Sequence, residues 1–292
     1  MDVRTPVLED AGAVTRCINA LSMSDSGFVD YREGELAEEW ADADLSDTLV
    51  VEDLGAIVGF LRFEDDPPYF EAYVHPGSRF PVVFDLLIDR VEAWARDRVR
   101  DFGAPLTIET DVANEISRTI LERRGFLHTG TSTHFVYDVT GKIPPLDPVV
   151  RVRSYVEGDD DALFHEVLAS GFGDDWDEPP SAEFIAAGRK TFGYSRDLWL
   201  LAETGGRVLG ALQGFEQWVG SSDVGWVKKL AVLPEGRNRG IARALLHTSF
   251  HLFKERGRAK VFLGVENENP TGARSFYERI GMTQNGTQTT HR

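Results

Sequence analysis

The pattern of apolar and polar positions predicts a mixed α/β chain. Apolar residues alternate with polar ones in short runs, which indicates strands, and recur every three to four positions in longer segments, which indicates helices. Gly and Pro clusters separate these elements. The elements predicted up to residue 139 are a strand (3–7), two helices (9–21, 33–41), three strands (48–52, 56–64, 70–74), a helix ending near residue 100, a strand (106–109), a helix (114–124) and a strand pair within 126–139.

The order of these elements, β-α-α-β-β-β-α-β-α-β, recurs in residues 149–282. Setting Val74 against Val232 places Pro76 on Pro234. A periodic order with aligned turn residues is typical of an internal repeat. The further aligned pairs are Arg79 with Arg237, Arg118 with Arg274 and Gly125 with Gly281.

We therefore predict two tandem domains of α/β class, residues 1–140 and 149–292, each with a mostly antiparallel twisted sheet flanked by helices. The Pro-rich stretch 141–148 is predicted to be the linker. Only 11 residues follow Gly281, so the last strand of the second domain is predicted to be short or missing. In that case the first half, or a second copy of the chain, would complete the sheet edge.

Composition favours a folded cytoplasmic protein. Of the 292 residues 42% are hydrophobic, yet no apolar run is long enough to span a membrane, and the N-terminus lacks the pattern of a signal peptide. The single cysteine, Cys17, excludes an internal disulfide and a multi-cysteine metal site, and its place in an amphipathic helix predicts a buried thiol.

Charge is distributed unevenly between the two halves. Residues 1–150 hold 29 acidic and 13 basic side chains, a net charge of −16, whereas residues 151–292 hold 19 and 18, a net charge of −1. The acidic half argues against a nucleic acid partner. It permits a cationic substrate, although solubility explains it at least as well. An anionic cofactor would meet the least repulsion in the second half.

The segment 230–242 has the features of an anion site. An apolar strand, 230–233, leads into a basic turn, 237–242, and an amphipathic helix begins inside that turn. Unpaired N–H groups and the positive end of the helix dipole would meet there. Gly240 and the small Ala242 allow phosphates to approach the backbone. Nearby positive charges are supplied by Arg237, Arg239 and Arg243.

The turn lacks the signatures of a P-loop and of a dinucleotide site. Its Arg-x-x-Gly-x-Ala pattern, 237–242, follows a Val-x-Pro strand end and resembles the acyl-CoA loop of the GNAT family of N-acyltransferases. The segment 265–282 is similar to a second GNAT pattern. There Asn269 precedes a helix that carries Tyr277, and Gly281 ends that helix.

The resemblance implies an acetyl-CoA-dependent N-acetyltransferase that acts directly, in a ternary complex, on the primary amine of a small molecule. Tyr277 would protonate the departing thiolate, and a backbone N–H near Val232 would stabilise the charged oxygen. Acetyl-CoA, the co-substrate, would lie in a slot where the strand before the loop splays from the next strand. The implied cofactor contacts are Leu230, Ala231, Val232, Arg237, Asn238, Arg239, Gly240, Ile241, Ala242, Arg243, Asn269 and Tyr277.

An acceptor amine must lose a proton, because an alkylamine has a pKa of about 10 in water. A carboxylate is the usual base, and the candidates beside the relevant strands are Glu216, Asp223 and Glu266. The loop that covers the acceptor pocket in this family suggests the substrate contacts Asp174, Asp175 and Trp176.

Neither a covalent intermediate on cysteine nor a metal is predicted. No cysteine occurs in residues 149–292, which argues against an acyl-cysteine there. One helix carries His247, His251 and Glu255 four residues apart, but without the HExxH arrangement, and we interpret them as a solvated helix face.

The first half departs from the family pattern where it should bind the cofactor. The aligned positions of Arg239, Gly240 and Ala242 hold a proline, which lacks an amide donor, and two bulky residues; the position of Tyr277 holds a leucine. We therefore predict a degenerate first domain without cofactor. The replacing residues are Pro81, Val82, Phe84 and Leu121.

The two-repeat architecture is similar to that of mycothiol synthases, a branch of this family. Those enzymes carry a Glu six residues before the position of Val232, where this chain has Trp226, so the same substrate is not assumed. Two alternatives stay open: a non-catalytic acyl-CoA-binding or sensing module, and a structural or partner-binding protein that uses its acidic first half. The sequence carries no signal of oligomeric state.

Overall fold

The computed structural model describes residues 1–25, 27, 29–65, 68–98, 106–111, 114–176, 178–217, 223–267 and 272–292. Within these ranges the chain forms twelve strands and eight helices, and the predicted order β-α-α-β-β-β-α-β-α-β occurs twice. The mixed α/β class with mostly antiparallel sheets is thereby confirmed. The helices are α1 (Ala11–Asp25), α2 (Glu35–Trp40), α3 (Phe80–Arg98), α4 (Glu115–Arg123), α5 (Asp161–Phe172), α6 (Ser181–Lys190), α7 (Ile241–Glu255) and α8 (Ala273–Arg279).

The strands differ from prediction at the end of each half. Residues 126–139 hold one long strand rather than a strand pair, and the last strand, predicted to be short or missing, has nine residues. The strands are β1 (Asp2–Arg4), β2 (Thr48–Asp53), β3 (Ala56–Asp65), β4 (Pro68–Val74), β5 (Ile108–Asp111), β6 (His128–Asp138), β7 (Arg151–Ser154), β8 (Tyr194–Thr204), β9 (Arg207–Phe215), β10 (Val224–Val232), β11 (Lys260–Glu266) and β12 (Thr283–His291).

The structure divides into two compact units that are not contiguous in sequence. Unit 1 comprises Met1–His134, Val265–Arg274 and Gln284–Arg292, and unit 2 comprises Phe135–Gly264 and Ser275–Thr283. The predicted boundaries at 140 and 149 fall inside unit 2. They remain a prediction about how the chain is divided between functions.

Unit 1 contains an antiparallel sheet in the order β1-β2-β3-β4, together with the neighbouring strands β5, β12 and β6. One apolar core forms around the inner face of α3 and includes Val83, Phe84 and Leu121, each at most 1% exposed. A second core, under α1 and α2, includes Leu36 and Phe60. Cys17 is buried, as predicted, and burial raises the pKa of its thiol to about 12.

Unit 2 contains strands in the order β6-β11-β10-β9-β8-β7, with β10 and β11 parallel and β7 to β10 antiparallel. Helices α5 and α6 bury an aromatic core that includes Phe164 and Trp199, both fully buried. Helix α7 lies so close to the sheet that a Cβ at Gly225 would fall 2.3 Å from the Phe253 ring. This close approach fixes the helix that follows the basic loop.

The sheet edge that seemed incomplete in the sequence is filled by the first half. Beside β11 lies β6, where the amide of Val139 donates to the carbonyl of Ala259 at 2.9 Å. Strand β12 lies instead beside β5, with the Thr110 and Thr289 hydroxyls 3.1 Å apart. Each half thus contributes its last strand next to the other half's penultimate strand.

The backbone registers support the aligned repeat. In unit 1 Val74 pairs with Gly59, and in unit 2 Val232 pairs with Gly210. A Cβ at these glycines would collide with the helix that follows the loop, at 2.8 and 2.6 Å. Both halves therefore need a glycine opposite the valine that ends the strand. In none of the described segments is a helix both long and apolar enough to cross a membrane.

Candidate active site

Strands β10 and β11 diverge along their length and leave a slot. Their parallel pairing covers only Val224–Trp226 against Lys260–Phe262, although both strands continue beyond it. Among the described residues, no further ladder pair joins the facing edges of these two strands. A V-shaped opening with free amides can take up an extended molecule by strand-like hydrogen bonds.

The amides that face the slot follow from the register with β9. The amide of Leu233 donates to the carbonyl of Leu209 at 2.9 Å, and bonding direction alternates along an antiparallel strand. The N–H groups of Leu230 and Val232 therefore point away from β9, towards the slot. The side chain of Ala231 is turned into the core and is 5% exposed.

The loop after β10 presents a row of unused amide donors. Within the described hydrogen bonds, no backbone N–H from residue 238 to residue 243 finds an acceptor, and the first bond of α7 is Ala244 N–H to Gly240 O at 2.9 Å. Asn238 and Gly240 have left-handed φ angles of 60° and 80°. Alternating left-handed residues turn successive amides inward and make an anion-binding concavity.

Three arginines surround this concavity with different partners. The Arg237 guanidinium donates to the Gly171 carbonyl at 3.1 Å, so it keeps its full charge. Arg239 makes no ion pair with any described residue. Arg243 lies 3.4 Å from the Asp147 carboxylate, which places one negative charge beside the concavity. The net charge of these four side chains remains positive.

Tyr277 lies in α8, where its ring packs against Phe135 at 5.5 Å and Phe276 at 5.4 Å between centroids. Burial raises its pKa to about 12, so the phenol stays protonated at neutral pH. Its hydroxyl has no hydrogen-bond partner in the part of the chain that is described. Asn269, the other predicted cofactor residue near α8, lies outside the described residues.

The end of α8 supports the equivalence of Tyr277 with Leu121. The amide of residue 282 bonds to the Tyr277 carbonyl, and the amide of residue 126 bonds to the Leu121 carbonyl, both at 3.0 Å. Each helix is ended by a left-handed glycine, Gly125 at 93° and Gly281 at 92°. The two side chains hold the same position in their repeats.

The three predicted bases differ in their surroundings. Both oxygens of Glu216 are engaged by arginine, at 3.0 Å to Arg256 and 3.0 Å to Arg258. Asp223 precedes β10, at the end of the strand far from the loop. Glu266 is exposed at the end of β11. The structure does not bring these carboxylates together.

The predicted acceptor contacts lie in the segment between α5 and α6. Asp174 is exposed, and Asp175 belongs to the same short 3-10 turn. Trp176 is half-buried against Phe172 and Phe184, with ring centroids 5.9 and 5.3 Å away. Trp176 therefore combines partial exposure with a fixed position.

Sequence reasoning missed an ion pair beside Trp176. The Lys229 Nζ lies 2.5 Å from the Glu178 carboxylate and 5.4 Å from the Trp176 ring centroid. Lys229 is on β10, one residue after a β-bulge that shifts the register with β9 between Val227 and Lys229. A bulge breaks the alternation of side chains, so the pattern could not indicate where Lys229 points.

The prediction that the histidines of α7 lie on a solvated helix face is wrong. His247 is only 8% exposed, and the His251 ring nitrogen lies 2.9 Å from the Pro144 carbonyl. The segment before β7 covers this side of the helix, which sequence periodicity could not reveal. Among the described side chains, no group of three or more metal-ligating residues occurs.

The same part of the chain is similar in sequence to known acetyltransferases. The sequence model of the Acetyltransferase (GNAT) family matches residues 162–282, which include the slot, the loop and Tyr277. The chain is 27% identical over 247 residues to a mycothiol acetyltransferase of Geodermatophilus obscurus, covering 79% of this chain and 76% of that one. It is 26% identical over 249 residues to a mycothiol acetyltransferase of Thermobispora bispora, covering 81% and 80%.

Solved structures extend the similarity to the whole chain. A GCN5-related N-acetyltransferase from Sphaerobacter thermophilus has a TM-score of 0.83 and 25% identity, over 99% of this chain and 94% of that one. A tandem GNAT protein from the clavulanic acid biosynthesis pathway has a TM-score of 0.67 over 99% and 97%, at 14% identity. The second likeness concerns the fold alone.

Proposed function

We propose that this chain transfers the acetyl group of acetyl-CoA to the primary amine of a small molecule. The match of residues 162–282 to the GNAT acetyltransferase family and the similarity of the chain to acetyltransferases support this. The transfer is direct, in a ternary complex, and takes place in the second half of the chain. The observation that carries this proposal is the row of unused amides from residue 238 to 243 beside an open slot.

The loop residues fit the diphosphate of a CoA thioester. Residues 238–243 supply the donors, Gly240 leaves the backbone accessible, and Arg237 and Arg239 supply charge. The amides of Leu230 and Val232 would orient the pantetheine arm. When bound, acetyl-CoA supplies an activated acyl group whose carbonyl is open to attack by an amine.

The residues proposed to donate and accept protons also lie in the second half of the chain. Tyr277 holds a proton at its hydroxyl and would give it to the leaving sulfur. The amine must lose its proton through water or a carboxylate. Of the three candidates, Glu266 and Asp223 are preferred to Glu216, because both oxygens of Glu216 are already bound by arginine.

The first half would serve as a scaffold that binds no cofactor in this reaction. Its contribution to the second half is β6, the strand next to β11. This role is proposed for residues 1–140, with acetyl-CoA bound by residues 149–292. The compartment proposed for the protein is the cytoplasm, with no membrane or nucleic acid partner.

Calorimetric titration of the full chain with acetyl-CoA tests the proposal. One site per chain is expected, followed by thiol release when amines are added one at a time. Binding without release for any amine would overturn transfer and leave a sensing module. No binding would overturn both, and two sites per chain would show that the first half binds the cofactor as well.

A further inference from the structure

The β-bulge in β10 places two consecutive lysines near one carboxylate. The register with β9 jumps from Val227 to Lys229, so Lys228 is the extra residue. Glu178 forms an ion pair with Lys229 and also acts electrostatically on Lys228. A bulge can bring neighbouring side chains to one side of a sheet, where a regular strand would separate them. The Glu178 carboxylate, in the segment between α5 and α6, therefore acts on both ammonium groups.

Lys229 is fully compensated. Its Nζ lies 2.5 Å from Glu178, and the ring centroids of Phe172 and Trp176 are 5.6 and 5.4 Å away. Only 15% of its side chain is exposed. A carboxylate and two aromatic faces satisfy a buried ammonium, so Lys229 ties the segment before α6 to β10 and has no capacity for a further anion.

Lys228 is compensated much less. It forms no ion pair with a described residue, and its Nζ lies 5.5 Å from the centroid of the Trp226 ring. Desolvation lowers its pKa, Glu178 opposes this, and Lys229 reinforces it. The residue as a whole is exposed, so an incoming molecule can reach it. A bound anion would offset the cost of desolvation and the repulsion from Lys229.

An anion bound by Lys228 would not be the diphosphate of the cofactor. The strand continues for four residues to Val232, a distance of roughly 13 Å, and the anion loop begins only after that. Lys228 is instead two residues from Leu230, whose amide faces the slot on the side away from the anion loop. An anionic group here belongs to the second substrate.

We propose that Lys228 binds a carboxylate of the acceptor, so that the acceptor is an amino acid or a similar molecule carrying both a primary amine and a carboxylate. This inference rests on the proposed acetyl transfer. It narrows the acceptor expected from composition, a small amine that could be cationic, to one that also carries a negative charge. Lys229, held by Glu178, is the positioning residue that keeps the bulge in place.

The test compares amino acids with their carboxamides, which keep the amine and lose the negative charge. Thiol release from acetyl-CoA is measured for each pair. The wild type is expected to prefer the amino acid, by kcat/KM, and Lys228→Met to lower this preference about tenfold through KM. Lys228→Arg should restore it. Lys142→Met, which removes an exposed lysine charge elsewhere, should preserve the preference.

Equal use of carboxamides and amino acids by the wild type would overturn the inference, as would an unaltered preference in Lys228→Met. A second measurement is independent of turnover. Lysines are reductively methylated with and without amino acid in the presence of CoA, and the peptides are analysed by mass spectrometry. Because the added amines also consume the reagent, labelling is read as the ratio of Lys228 to Lys142. The amino acid should lower this ratio, and the carboxamide should leave it unchanged.

The two measurements separate the two proposals. Protection of Lys228 without thiol release would overturn acetyl transfer and retain the carboxylate site. Thiol release without selective protection, for carboxamides as well as amino acids, would retain transfer and overturn the site.

Discussion

The loop after β4 in unit 1 and the loop after β10 in unit 2 start from the same architecture and end differently. Both follow a valine that pairs with a glycine, Val74 with Gly59 and Val232 with Gly210. The next helix begins six residues later in the first loop, at residue 80, and nine residues later in the second, at residue 241. In the first half, then, the helix itself occupies positions that form the anion loop in the second.

This earlier start consumes the amide donors. In unit 1 the N–H groups of Val82 and Val83 bond to the carbonyl of Arg79 at 2.9 and 3.1 Å. The Arg79 guanidinium is itself paired with Asp53 at 3.0 Å. In unit 2 the corresponding arginine, Arg237, donates to two neutral carbonyls and forms no ion pair with a residue in the described ranges. A basic residue at the aligned position is therefore insufficient for anion binding when the backbone N–H groups beside it already form helical hydrogen bonds.

A cleft in unit 1 next to the start of α3 is also unsuited to an anion. It has a volume of about 580 Å³. Asp85 and Glu115 lie on its wall, and Arg123 is bound to Asp85 at 2.9 Å. An anion would meet carboxylates here. The remaining lining residues are Pro81, Val82, Ile116, Thr119 and Ile120.

The largest effect is expected when the second loop is given the first loop's residue. Gly240→Val forces a β-branched side chain into a φ of 80°, at a cost of about 1–3 kcal/mol, and blocks the approach of phosphates. Affinity for acetyl-CoA should fall roughly 100-fold or more, by calorimetry.

Gly206→Val is the matched control, because Gly206 has a φ of 77° and nothing within 4 Å of its Cβ position. It imposes similar backbone strain away from the loop. The control should lose thermal stability yet bind acetyl-CoA like the wild type. If both variants bind normally, the anion site has been misplaced.

Much of this contrast was predictable from sequence. The replacement of Gly240 by Val82 predicts that the two loops differ in backbone geometry, because Gly240 adopts a left-handed φ that valine disfavours. The earlier start of α3 was not predictable, since helix boundaries depend on tertiary packing as much as on caps. Leu121 and Tyr277 were matched correctly because glycine ends both helices.

The exchange of β6 and β12 could not be derived from the pattern. Strand β12 reads TQNGTQTTH and has neither apolar alternation nor a hydrophobic face. Its burial comes from threonine and histidine, with Thr289 at 5% and His291 fully buried. A strand that is fixed by backbone pairing and polar contacts gives no periodic signal.

The second largest effect is expected at Tyr277, whose counterpart Leu121 has no proton to donate. Tyr277→Phe keeps the ring contacts with Phe135 and removes only the proton donor. We expect kcat to fall about 100-fold while the affinity for acetyl-CoA stays the same within error. Single-turnover thiol release and calorimetry measure the two quantities separately.

Tyr137→Phe provides the comparison for this change, since Tyr137 is also a largely buried phenol of unit 2 and stacks on Phe250 at 4.1 Å. It should leave kcat as in the wild type. Equal rates for wild type and Tyr277→Phe would show that Tyr277 is not the general acid. The position of Tyr277 would then be as inert in catalysis as the position of Leu121 in the first half.

The smallest expected effect concerns the aligned arginines of the two loops. Arg237→Met should weaken acetyl-CoA binding about tenfold at low salt, because it removes a charged donor beside the diphosphate site. Arg79→Met should change nothing in the same titration, since Asp53 already neutralises Arg79. The Arg237→Met effect should shrink as salt rises, because the arginine is exposed. Equal losses from the two variants would mean that both halves take part in binding, and the contrast between the loops would then concern backbone geometry alone.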